Sequence, residues 1–171
     1  AQLTNDGALT IPAGPTLASA CSGSVLNTGN GTLTVEGTAS IPITNNATLK
    51  ASGTRGDLTN NGSLPIIGPE VTARSYTPAR ASTLSGAWPF TTARLQLPPT
   101  GWTVPTTVSS VAVTDALSQG NLIVPQGARL DLSGTSTGTQ LINHGTVAIS
   151  GYTDFHGVIL TPDGQTEHAV E

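Results

Sequence analysis

Short runs in which aliphatic and small polar residues alternate fill most of the chain, and the same phrase joins them. Its clearest copy is Leu58-Thr59-Asn60-Asn61-Gly62-Ser63-Leu64: aliphatic, small polar, Asn, any residue, Gly, small, aliphatic. Leu3-Thr4-Asn5-Asp6-Gly7-Ala8-Leu9 opens the chain with it, and Ile142-Asn143-His144-Gly145-Thr146-Val147 is the last copy. Looser copies are Ile43-Thr44-Asn45-Asn46-Ala47-Thr48-Leu49 and Leu26-Asn27-Thr28-Gly29, which runs on into Thr32-Leu33-Thr34-Val35. Asn and Gly tolerate the positive φ of a two-residue turn, so the phrase predicts tight turns between paired strands. Strands are expected at 8–11, 24–27, 32–35, 39–43, 47–51 and 63–67, and nothing there keeps a helical period.

Residues 69–120 break the pattern. Pro69, Pro78, Pro89, Pro98, Pro99 and Pro105 fall there, with Trp88, Trp102, Phe90 and Tyr76. Proline removes a ladder donor, so this segment reads as a long loop or arm with edge strands at 93–97 and 106–113. Residues 111–117 are the best place for a helical turn. The opening style then returns. Leu122-Ile123-Val124-Pro125-Gln126-Gly127 echoes Leu9-Thr10-Ile11-Pro12-Ala13-Gly14, a last strand is expected at 158–160, and Pro162-Asp163-Gly164 reads as a turn. The whole chain, 1–171, reads as one all-β domain.

Two architectures accommodate this order. The phrase resembles filamentous-haemagglutinin-type adhesin repeats over residues 1–68 and 121–151, and that resemblance implies a right-handed parallel β-solenoid. The alternative is a two-sheet antiparallel sandwich of jelly-roll type. The first four copies begin near Leu3, Leu26, Ile43 and Leu58, at uneven spacings, and the proline-rich segment interrupts the series. Uneven copies favour the sandwich as the expectation, with the phrase serving as hairpin turns.

Composition adds to this. Charged residues are only 9% of the chain, far below the ~25% of ordinary domains. No apolar run approaches the ~20 residues of a spanning helix. Thr, Val, Gly and Pro dominate where Lys, Glu and Met are scarce or missing, which is β composition. The formal net charge of −4 is unevenly spread. Residues 71–114 hold Arg74, Arg80 and Arg94 and no acid, while Asp154, Asp163, Glu167 and Glu171 crowd the end. Three scattered arginines make a poor nucleic-acid footprint. The single cysteine, Cys21, forms no disulfide within the chain and reads as a small buried hydrophobe.

Chemistry-bearing motifs are sparse. His144 takes the variable turn position that Asp6 and Asn61 hold in other copies. Asp154 and His156 would share one strand face, and with Glu167-His168 they are the nearest approach to a metal set; solvated side chains near the end of the chain are the better reading, and no cofactor is expected. No serine stands in Gly-x-Ser-x-Gly, no carboxylate pair flanks an aromatic platform, and no Gly-rich loop opens a helix. Arg55-Gly56-Asp57 matches a cell-adhesion tripeptide if displayed. Asn30, Asn46 and Asn61 head glycosylation acceptor triplets that the phrase itself generates. Aromatics and arginines carry interface energy, so Arg74, Arg80, Trp88, Phe90, Arg94 and Trp102 are the expected partner-binding residues; the competing role for the tryptophans is core filling.

A small, nearly uncharged, Thr- and Gly-rich all-β chain is similar in type to the capsid decoration (cement) proteins of tailed bacteriophages. That resemblance implies a non-enzymatic virion protein on the outer capsid surface. It would bind the major capsid protein, cement neighbouring subunits, and form a homo-oligomer on the particle, without nucleic acid or membrane. The alternative expectation is an extracellular or cell-surface adhesin or receptor-binding module. A polysaccharide-acting enzyme ranks last.

Overall fold

The computed structural model describes residues 1–14, 16–18, 23–150, 154–161 and 166–167, the side chains of 154–156 and 166–167 excepted. Its strands are β1 (Gln2–Asn5), β2 (Ala8–Ile11), β3 (Thr16–Leu17), β4 (Ser24–Asn27), β5 (Thr32–Val35), β6 (Thr38–Ala39) and β7 (Ile43–Asn45). Two long bent strands follow, β8 (Thr48–Asn60) and β9 (Ser63–Pro78). Then come β10 (Thr83–Ser85), β11 (Phe90–Leu95), β12 (Trp102–Thr103), β13 (Val111–Leu117), β14 (Gly120–Val124) and β15 (Arg129–Leu132). The last four are β16 (Thr135–Asn143), β17 (Thr146–Ile149), β18 (Asp154–Leu160) and β19 (Thr166–Glu167).

In the first rungs a strand pairs not with its neighbour in sequence but with the strand one coil further on. Where the long strands β8 and β9 span several sides they pair, still parallel, with the strands next to them in sequence. β1 pairs with β4, β2 with β5 and β3 with β6, all parallel. Each coil of chain therefore lays strands on three sides, and the next coil stacks on it in register. The result is a parallel β-solenoid of about eight turns. This overturns the antiparallel jelly-roll sandwich; among the described residues only the β18–β19 pair is antiparallel. The phrase is a corner between two sides of one rung, not a hairpin.

The backbone shows why. No non-glycine residue among those described has positive φ, and Gly62 does not either. Gly62 is required by close approach: a Cβ there would lie 2.2 Å from the Ala47 carbonyl oxygen of the rung before. At Gly145 the Cβ would lie 2.4 Å from the Pro125 oxygen. Rung length varies from 15 residues (Ile43 to Leu58) to 24 (Leu9 to Leu33), and the ladders stay parallel with local register shifts where strands bend, as between Ala51 and Gly53. Surplus residues sit at corners, so uneven spacing does not argue against stacking.

The segment 69–120 is not an arm. It contains the end of β9 and all of β10 to β13, and β11 stacks between β9 and β13. Pro89, Pro98, Pro99 and Pro105 lie between strands, where no ladder donor is lost. Residues 111–117 are strand, not a helical turn.

Inward positions form columns. On the first side Leu3, Val25, Ile43, Leu58, Tyr76, Leu95 and Leu117 are successive register partners. On the third side the column runs Leu17, Ala39, Arg55, Ala73, Thr92, Val113, Leu132 and Ile149. Burying such aliphatic columns is the main driving force for stacking, about 1.5–3 kcal/mol per large side chain.

Two polar devices occupy the interior. Asn5, Asn27, Asn45 and Asn60 form a ladder in which each side-chain amide donates to the next rung's Oδ1 at 2.8 Å. The same nitrogens reach backbone carbonyls, as Asn45 does to Ser63 at 3.0 Å. Asn60 ends the ladder by donating to the Tyr76 hydroxyl at 3.2 Å. The second device is Arg55, 2% exposed and flanked in its column by Ala39 and Ala73, whose small side chains leave room for it. Its guanidinium donates to the carbonyls of Gly37 and Thr54 at 2.7 Å, and to those of Val35 and Ser52. Burial lowers its pKa to about 10, which still leaves it a cation at neutral pH.

Candidate functional site: a polar cleft at one corner

Where the third side turns into the first, four charged side chains from successive rungs come together. The bend of β8 supplies Asp57, that of β9 supplies Arg74, β11 supplies Arg94 and β13 supplies Asp115. They line an open cleft of about 660 Å³ together with Ser75, Thr59, Thr77 and Gln96. The register explains the assembly: Asp57 pairs with Ser75, and Ser75 with Arg94. Strands at this corner are continuous, so outward side chains are held about one strand spacing apart, ~4.8 Å.

Arg74 grips Asp57 with both ends of its fork, Nε to Oδ1 at 2.8 Å and Nη2 to Oδ2. Ser75 Oγ donates to the same Oδ1 at 2.8 Å. The Arg74 hydrogen bond holds the Asp57 carboxyl below its usual pKa, against the upward pull of partial burial, and the charge of Arg94 adds to the lowering. Asp57 in turn raises Arg74. Arg94 donates from Nε to Asp115 Oδ2 at 3.0 Å. Thr77 Oγ1 donates to Gln96 Oε1 at 2.9 Å. The Arg74 and Arg94 side chains remain 65% and 63% exposed.

The six residues expected to bind a partner do not form one patch. Arg74 and Arg94 meet in this cleft. Phe90 and Trp102 are core: Tyr76 packs edge-on against both, with ring centroids 4.8 Å and 5.8 Å away. Arg80 is an exposed turn residue after β9, and Trp88 stands 43% exposed in the loop between β10 and β11. Asp57, Asp115, Ser75 and Gln96 are the site residues that sequence reading missed. The signal for them was the distance from acid to arginine, 17 residues for Asp57–Arg74 and 21 for Arg94–Asp115, each one rung.

A second surface feature lies on the second side. There β10 pairs with β9 and β12 with β14, but β10 and β12 do not pair. The opening between them, about 390 Å³, is walled by Ser82 to Ser85 and by Trp102, Thr103 and Thr107. Thr107 Oγ1 donates to the Leu84 carbonyl at 2.7 Å.

Other motifs resolve more simply. Arg55-Gly56-Asp57 is not displayed, because Arg55 points into the core. His144 is an exposed turn residue whose N–H donates to the Val124 carbonyl at 2.8 Å. Asn30, Asn46 and Asn61 are exposed, and Asn61 donates to Asn46 Oδ1 at 2.8 Å. Cys21, the Pro162-Asp163-Gly164 turn and His168 lie outside the described residues, as do the side chains of Asp154, His156 and Glu167. Among the described residues, no three His, Cys, Asp or Glu side chains are grouped to hold a metal, and no helix is long and apolar enough to cross a membrane. Comparison with protein-family models, curated proteins and solved structures gave no match to the chain.

Proposed function

We propose that this chain is a non-enzymatic display and binding module, of the kind that forms the shaft of a surface adhesin or a receptor-binding fibre. The observation that carries the reading is the stack itself. Parallel ladders run through about eight turns, and the interior is occupied by packing columns and the Asn ladder. Such a stack is a stiff rod, and it holds outward side chains at a fixed pitch. The adhesin-type repeats that the Asn–Gly phrase resembles imply this architecture, which adds support. The polar cleft gives the rod a place to hold a ligand.

Capsid cementing is the second reading. Low charge, together with the exposed apolar side chains Leu3, Ile67, Trp88 and Ile149, supports it, since these offer area to bury on a neighbouring subunit. In that reading the chain sits on the outer capsid surface against the major capsid protein, as a homo-oligomer.

Co-sedimentation tests the choice. Fluorescently labelled chain is titrated onto intact bacterial cells and onto phage heads stripped of decoration proteins. Saturable retention on cells is the expected result. Retention on heads alone, with a raised rupture temperature, would establish the cement reading instead. Release of reducing ends from a polysaccharide, abolished by one Asp or Glu substitution, would overturn both.

A further inference from the structure

We infer that the corner cleft binds an anionic saccharide, whose carboxylate or sulfate group seats between Arg74 and Arg94. This deepens the binding-module reading and rests on it. The cleft has guanidinium donors to spare at its centre. Asp57 is largely engaged, accepting from Arg74 twice and from Ser75. Arg94 donates only through Nε, so its two Nη groups have no partner among the described residues. Gln96 accepts from Thr77 through its oxygen, and its amide N–H groups have no partner among the described residues. Arg74 keeps Nη1 free of any described acceptor.

A guanidinium fork beside an amide donor matches a planar or tetrahedral oxyanion and leaves a neutral ligand's donors poorly matched. The hydroxyls of Thr59 and Thr77 on the same wall suit the hydroxyls of a sugar ring. The lining charges balance, Arg74 and Arg94 against Asp57 and Asp115, so preference for an anion comes from the guanidinium N–H groups left without a partner and not from a net positive field. Because both arginines are well exposed, the site needs no opening motion.

The test uses the full chain and calorimetric titration with trigalacturonate, dextran sulfate and neutral dextran. Saturable binding of one or both anionic probes, weakened by salt, is expected, with no binding of neutral dextran. Whether trigalacturonate or dextran sulfate binds tells carboxylate from sulfate. Arg94→Gln should weaken binding about tenfold or more, the worth of a charge-assisted pair. Arg129→Gln is the control: Arg129 is a similarly exposed arginine, paired with Asp131 at 2.7 Å away from the cleft, and its loss should change binding less than about twofold. Unchanged binding in Arg94→Gln, equal losses in both variants, or equal binding of neutral dextran would overturn the assignment. Cell retention that survives Arg94→Gln would keep the module reading while this site falls. Trigalacturonate binding by a chain that no cell retains would do the reverse.

Discussion

The two halves of the rod solve the same packing problem with different chemistry. In the first four rungs the interior beside the phrase corner is a hydrogen-bonded ladder, Asn5 to Asn60. Beyond Tyr76 the ladder stops. Tyr76, Phe90 and Trp102 fill the centre, and aliphatic pairs such as Leu95–Leu117 and Leu122–Leu141 continue the columns. Both halves keep the rungs in register. Apolar burial supplies free energy without direction, whereas an amide ladder is satisfied only when each rung sits at the right height. The first half thus has its register written in hydrogen bonds, and the second has it written in the volumes of facing side chains.

Asn45→Asp should break this comparison most sharply. The substitution keeps the shape of the side chain but removes its only donor. Asn60 Oδ1 then faces a like oxygen, and a buried carboxylate has no cation beside it. A loss of about 3–5 kcal/mol in urea unfolding at neutral pH is expected. Part of it should return in acid, because burial raises the new carboxyl's pKa, so that stability is present at low pH and lost as pH rises through it. Asn45→Ala, which strands Asn27 and Asn60 without adding charge, should cost about 2–4 kcal/mol. Arg55→Met tests the third side in the same way. It removes the donors to four carbonyls while keeping much of the apolar stem, and about 3 kcal/mol of destabilisation is expected.

These residues also show what was legible beforehand. All-β character, the strands of the first rungs and the recurrence of the phrase could be read from alternation and composition. Parallel pairing could not, because an Asn–Gly corner and an Asn–Gly hairpin look alike without knowledge of partners. Asn60 was read as a turn former, yet it is an interior ladder residue, and only its recurrence at the same step of each rung marks it. The spacing of Asn5, Asn27, Asn45 and Asn60 looked too uneven for stacking because corners absorb residues that strands cannot. The cleft was half visible. Arg74 and Arg94 stood out in an acid-free stretch, but Asp57 and Asp115 flank that stretch and join it only through the coil.

The junction between the halves gives a smaller and more selective effect. Tyr76→Phe removes the hydroxyl that accepts from Asn60 and leaves the ring contacts in place, so about 1 kcal/mol should be lost at neutral pH. The alkaline limb carries a second signature. Burial pushes the Tyr76 phenol up to about 12. In the unfolded chain it ionises near 10, so between about pH 10 and 12 the unfolded state holds fewer protons and stability falls with rising pH. Arg55 acts in the opposite sense there, since its folded pKa is lowered. The difference between wild type and Tyr76→Phe isolates the phenol. The rise from about 10 to about 12 is worth about 3 kcal/mol, more than the gap at neutral pH. The two stabilities should therefore converge and then cross as pH rises through that window, and parallel curves would show that Tyr76 is not buried as described.

The smallest effect belongs to the surface. Asp57→Asn breaks the fork to Arg74, but both partners are largely exposed, and exposed pairs contribute little. Its stability change at pH 7 should fall within the error of a urea titration. Whatever contribution exists is present above the ordinary carboxylate range and is lost as pH falls through the lowered Asp57 pKa; high salt should erase it, whereas salt should leave the cost of Asn45→Ala intact. The same substitution frees the Arg74 guanidinium and removes a negative charge beside the inferred ligand. Trigalacturonate should therefore bind Asp57→Asn more tightly than wild type, by about threefold to tenfold. A variant that is thermodynamically silent in folding yet improves binding would show that the Asp57–Arg74 pair serves the ligand more than the rod. Weaker binding would mean that Asp57 is needed to aim Arg74, and the pair would then count as part of the site's scaffold.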